Sequence, residues 1–233
     1  MKHLFLMPII IAAVSCGTQF NAMDKDRDND EAQSNLRHET RGEQNSTDNS
    51  GVRSFASWCK DPNLTVGQKN MVAGVLQKVR TNDCDEADKR ARALGSLDRV
   101  NTYKPLDLSP IESLVQLKDL AIYGSESLIG LETLEALVNL EEFNASSCNL
   151  VDQDLISIAK TSKLKILDLG FNKLVNVSEL SKVKTLEDLD LQDNQITNPA
   201  SLAPLSKLFI LDLSDNKIPD PKVCPVTPDI CKF

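Results

Sequence analysis

Apolar residues in the C-terminal half of this chain recur in a fixed block. Leu164, Leu167, Leu169 and Leu174 are followed by Leu186, Leu189, Leu191 and Ile196, then by Leu208, Leu211, Leu213 and Ile218. Successive blocks begin 22 residues apart. Each carries a Leu-Asp-Leu alternation, at Leu167-Asp168-Leu169, Leu189-Asp190-Leu191 and Leu211-Asp212-Leu213. The alternation predicts a short strand with its leucines on one side and its aspartate on the other. One such strand cannot bury its leucines alone, whereas stacked copies share a continuous core. Between the strands, Val177, Leu180, Val183, Leu202 and Leu205 recur at a spacing near three. That spacing suits a tight helical or extended segment on the far side of the array.

Two earlier blocks fit the same template less well. Leu140 to Leu150 places Phe143, Ala145 and Cys148 in the columns held elsewhere by Leu, Leu and Asn. Leu117-Lys-Asp-Leu-Ala-Ile122 fits the strand, but Ser125 stands in the Asn column and the next leucine is displaced to Leu128. The intervals here lengthen to 23 and 24 residues, and in the longer one Leu155, Ile158 and Ala159 predict a true α-helix. Five units therefore match, and Leu97 through Val100 to Leu114 leaves room for a degenerate sixth. Residues 56–96 have a different period. Thr65-Val-Gly-Gln68 is a capping box, and Met71, Val72, Val75, Leu76 and Val79 follow at helical spacing. A second helix is expected from about Asp83, with Cys84, Ala87, Ala91 and Leu94 on one face and Gly95 as its end.

The unit L-x-x-L-x-L-x-x-N-x-L/I resembles the leucine-rich-repeat family. The resemblance implies an α/β leucine-rich-repeat solenoid, a short right-handed horseshoe with a helical N-terminal cap. It also implies a buried ladder in which Asn172, Asn194 and Asn216, with Cys148 in the same column, satisfy backbone groups of neighbouring turns. A Trp58-Cys59 pair, Thr81-Asn-Asp-Cys84, and a terminal Cys224-Pro225 to Cys231-Lys-Phe233 are similar to exported bacterial proteins of internalin type. That likeness brings no particular activity with it.

Charge narrows the partners. The chain has 26 basic against 34 acidic residues, a net charge of −8, and only 4% aromatics. Nucleic acid, which needs concentrated Lys and Arg and aromatic platforms, is not expected as a ligand. At the N-terminus, Lys2 and His3 precede an apolar run from Leu4 to Val14, too short to span a bilayer as a helix of about 20 residues. It ends Ala13-Val-Ser-Cys16, which resembles a bacterial lipobox and makes Cys16 a candidate for lipidation. Ordinary secretory cleavage a few residues later is the alternative. By the same resemblance, Gly17 suggests outer-membrane sorting in a Gram-negative cell. The expected layout is a signal peptide over 1–15, a disordered tether over 16–55, the cap over 56–96, repeats over 97–218 and a C-terminal cap over 219–233. The tether is expected to be disordered because it has almost no aliphatic residues to bury. Its Asp24, Asp26 and Asp28 fail as a calcium loop, since Asn29 and Asn35 stand where Gly and Glu are needed.

An exported chain can keep disulfides. Cys59, Cys84, Cys224 and Cys231 allow three pairings, of which the local one, Cys59–Cys84 and Cys224–Cys231, is the simplest. Loops of about 26 and 8 residues would then contribute roughly 3.5 and 2.5 kcal/mol in the chain-entropy picture. Residues 56–233 contain no His, no glycine-rich phosphate loop and no CxxC pair. No catalytic residue, metal ligand or cofactor is assigned, and the chain reads as non-enzymatic. The candidate contacts are the outward strand positions: Tyr123, Asn144, Ile166, Asp168, Phe171, Asp190, Gln192, Asp193, Asp212 and Asp215. They are either an acidic groove for a protein with a basic surface or ordinary solvent-facing positions of the repeat. The expected function is a lipid-anchored, protein-binding module of the bacterial envelope. The alternative is a structural spacer without a specific ligand.

Overall fold

The computed structural model describes residues 51–233 except residue 102. The signal peptide, Cys16 and the tether up to residue 50 lie outside the described residues. The cap has three helices rather than two: α1 (Phe55–Lys60), α2 (Val66–Val79) and α3 (Cys84–Ala91). Helix α1 begins at Phe55, the last residue of the expected tether, and is too short to show a helical period of its own. Phe55 is fully buried, and Arg53 stacks over the Trp58 ring at 4.0 Å and pairs with Asp61 at 2.7 Å. The backbone N–H of Arg53 and Trp58 Nε1 both donate to Glu112, which ties the cap to the array.

Helix α2 begins at the capping box. Gln68 N–H donates to Thr65 Oγ1 and Thr65 N–H donates to Gln68 Oε1. Asp83 caps α3 by accepting from the N–H groups of Asp85 and Glu86. These N–H donors, Glu86 first, hold the Asp83 carboxyl below its ordinary range. Gly95 does not end α3, which stops at Ala91. The Gly95 carbonyl instead accepts from the N–H groups of Lys118 and Asp119 at the start of the sheet. Cys59 is bonded to Cys84, joining α1 to α3.

One parallel sheet runs through the array in the order β1 (Ser96–Asn101), β3 (Asp119–Tyr123), β5 (Glu142–Asn144), β6 (Ile166–Asp168), β7 (Asp188–Asp190), β8 (Ile210–Asp212) and β9 (Cys231–Lys232). A small second pair joins β2 (Leu106–Asp107) to β4 (Leu128–Ile129). The degenerate first unit is thus a strand. Leu97 pairs with Leu120 and Val100 with Ile122, so β1 carries one extra residue between them. That bulge is why the L-x-L spacing fails there. The last strand was not expected. The C-terminal cap, closed by the Cys224–Cys231 bond, pairs Leu211 with Cys231 and Asp212 with Lys232.

The opposite side of each turn is mostly 3₁₀-helical, as at Leu131–Glu135, Ser178–Lys182 and Ala200–Leu202. The unit with the longest interval adds α4 (Leu155–Ile158), a single α-helical turn. One apolar core runs from Phe55, Met71 and Val75 through every repeat leucine to Leu213. The polar ladder beside it is complete. Asn194 Nδ2 donates to the carbonyls of Leu169, Leu191 and Gln192, and its Oδ1 accepts from Leu174 N–H. Asn172 and Asn216 repeat the pattern. Cys148 fills the same column with a weaker donor, its thiol 3.4 Å from the Ser146 carbonyl. Ser125, earlier still, donates to the carbonyls of Lys104 and Ser127.

Candidate functional site

Strand register sets the outward side chains in rows. The first row runs Asp119, Glu142, Ile166, Asp188, Ile210. The second runs Ala121, Asn144, Asp168, Asp190, Asp212, Lys232. Beyond the strands each unit turns through a residue of positive φ in the same column, Gly124, Ser147, Phe171, Asp193 and Asp215, and the unit of Ser147 has a second at Asn149. Phe171 therefore aligns with Asp193 and Asp215 on the rim, not with Tyr123 and Ser146 inside the face. Gly170 occupies the inner position and is buried. Ala121 and Ser214 are outward by alternation, yet both are buried.

The second row has a structural task that alternation did not reveal. Asn144, Asp168, Asp190 and Asp212 each accept, through Oδ1, the backbone N–H two residues ahead, at 2.8–2.9 Å. These side chains close the strand into the turn. One oxygen of each aspartate is committed, and the second decides its electrostatics. Asn144 donates to Asp168 Oδ2, and Lys232 donates to Asp212 Oδ2 at 2.6 Å.

Titration follows from these partners. Burial pushes the carboxyl of Asp168 above its ordinary value, against the opposing effect of hydrogen bonds from Gly170 and Asn144. Burial and the neighbouring charges of Asp168 and Asp212 raise Asp190. Burial and the charge of Asp190 raise Asp188. Asp212 also feels burial, but the hydrogen bond from Lys232 and those from Ser214 bring it below its ordinary value. The face is thus an unevenly neutralised acidic surface, with its excess on β6 and β7.

Of the ten candidate contacts, Asn144, Ile166, Asp168, Asp190 and Asp212 share two adjacent rows. Tyr123 and Ile166 help line a shallow depression of about 290 Å³ with Asp119, Glu142 and Asn144. Phe171, Asp193 and Asp215 form the rim, where Gln192 Nε2 reaches Asp215 at 3.3 Å. Lys232 was missed as part of this face. The alternation of Cys231, Lys232 and Phe233 was the available signal.

The "Leucine Rich repeat" family pattern matches residues 184–200. No curated protein sequence matches the chain. Among solved structures, an internalin of Listeria monocytogenes superposes with a TM-score of 0.57 at 18% identity, over 65% of this chain and 44% of that one. The chain therefore spans less than half the length of that protein. A second internalin, C2 of the same organism, gives 0.42 at 17% identity over 65% of this chain and 86% of that one. A leucine-rich-repeat protein of Leptospira interrogans gives 0.37 at 24% identity over 46% and 33%. Parallel register, asparagine ladder and the first superposition agree on one architecture: the fold is an α/β leucine-rich-repeat solenoid.

Proposed function

We propose that this chain is a non-enzymatic, protein-binding module of the bacterial envelope, held there by lipid on Cys16, and that the sheet face with its rim is the contact surface. Phe171 carries this reading. It sits at φ 59° with 52% of its surface exposed, where the equivalent residues are Gly, Ser and Asp. A bulky residue in the left-handed region costs about 1–2 kcal/mol. Exposure returns none of that cost within the monomer, whereas burial under a partner would. Ile166 and Ile210 add exposed apolar surface on the same side of the sheet.

The test is capture from envelope extract by the full chain, its Phe171→Asn variant and a convex-side control, Glu132→Gln. A partner retained by wild type and control but lost by Phe171→Asn supports the reading. Equal retention by all three would overturn it in favour of a spacer. Palmitate labelling of wild type and Cys16→Ala tests the anchor, and equal label in both would reject it.

A further inference from the structure

We infer that the middle of the sheet face, at Asp188 and Asp190, seats a basic side chain presented by an extended segment of the protein partner. This rests on the protein-binding reading above. Asp188 stands between Ile166 and Ile210 in adjacent strands of one row. Both isoleucines are exposed, at 39% and 45%. An arginine or lysine has that combination of needs: apolar surface for its methylene stem and carboxylate for its head.

Neighbouring carboxylates are already matched and these two are not. Asp212 has Lys232, and Asp168 has the Asn144 amide. Among the described residues no salt bridge reaches Asp188 or Asp190. Asp190 gives one oxygen to Gln192 N–H and keeps the other. From β3 to β9 the outward strand positions are acidic or neutral apart from Lys232. Charge complementarity therefore selects a cationic occupant over an acidic one. Both carboxyls are pushed up by burial and by neighbouring carboxylates, Asp188 by Asp190 and Asp190 by Asp168 and Asp212, a repulsion that a bound cation would relieve.

The experiment is fluorescence anisotropy of the full-length chain in mild detergent, with two labelled peptides. One carries a central arginine between leucines, and the other has citrulline, which is neutral and of the same shape, in its place. The arginine peptide is expected to bind at least about tenfold more tightly, the size of one charge-assisted contact. Asp190→Asn, which keeps the acceptor for Gln192 N–H, is expected to abolish the difference, and Glu132→Gln to leave it intact. Equal binding of both peptides, binding of neither, or a preference that survives Asp190→Asn would overturn the inference. So would self-association of the chain that Asp190→Asn disperses, which makes a second copy the occupant. Capture from envelope extract separates the two levels. A partner lost with Phe171→Asn but kept with Asp190→Asn sinks the basic-side-chain seat and leaves the protein-binding reading standing.

Discussion

Lys232 donates to Asp212 at 2.6 Å from a strand built by the last residues of the chain. The pair ends the aspartate row with a cation at the open end of the array. Asp212 is consequently held below the usual carboxylate range, although burial alone would raise it. A depressed folded value contributes stability that is present above the unfolded value and is lost as pH falls through the folded one. In Lys232→Gln, Asp212 should move upward, towards the behaviour of Asp190. Carboxyl NMR titration of wild type and variant reads this directly. An Asp212 midpoint unchanged by the substitution would mean that Ser214, not Lys232, sets it.

Asp188 and Asp190 have the opposite sign. Their folded values are raised, so the native state binds more protons than the unfolded chain between the unfolded and folded values. Each therefore weakens the fold at neutral pH, and the loss is relieved as pH falls through the folded value. Asp190→Asn should raise stability at pH 7 and reduce the gain on acidification. Urea midpoints across pH 4–7 test it. A variant less stable than wild type at pH 7 would show that the bond to Gln192 outweighs the repulsion.

How much of this was legible in the sequence depended on the local period. Leu167, Leu189 and Leu211 announced their strands because two-residue alternation and a fixed repeat agreed. Asn172, Asn194 and Asn216 marked the turns by recurring in register. The cap was only half legible. Thr65 and Gln68 are a local device, whereas helix α1 belongs to the fold through contacts made far along the chain, such as that of Trp58 with Glu112. The bulge between Leu97 and Val100 hid the first strand. In the candidate site, alternation found the rows but not the task of Asp168, Asp190 and Asp212 in closing their turns. The left-handed backbone of Phe171 was not legible either, since a positive φ leaves no trace when the residue is not glycine.

The asparagine ladder predicts unequal costs along the array. Asn194 is buried and joins three carbonyls and one N–H. Asn194→Ala leaves the buried Leu174 N–H without a partner and takes one of two donors from each carbonyl, and should cost about 1–3 kcal/mol. Asn216 makes similar bonds beside the C-terminal cap but is only half-buried, so Asn216→Ala should cost less because water replaces part of what is lost. Equilibrium urea unfolding of both variants ranks them. Equal losses would show that water reaches the interior positions as readily as the end.

Cys148 should be chemically silent in the native protein. Its thiol is buried, and burial raises its pKa above the ordinary value, so little thiolate exists at neutral pH. Iodoacetamide should label it only after unfolding. Rapid labelling under native conditions would mean that the unit from Leu140 to Leu150 opens locally. The column also predicts that Cys148→Asn is tolerated, since an amide there can use the Ser146 carbonyl that the thiol now contacts.

Phe171 sets stability against binding in a single substitution. Its positive φ is shared with Asp193 and Asp215, residues with short polar side chains that tolerate the left-handed region. Phe171→Asn removes the strain and exposes no core, because the ring is already open to solvent. The variant should be more stable by about 1 kcal/mol, which for a domain of this size is roughly 2–4 °C in Tm. The same change removes the most exposed aromatic of the rim and should abolish partner capture. A contact that serves only the monomer cannot give this pair of results, since its loss lowers stability. Thermal unfolding and capture must therefore move in opposite directions. If stability falls in Phe171→Asn, the ring supports the fold and its exposure is incidental. If stability rises while capture persists, the strain has a cause other than recognition.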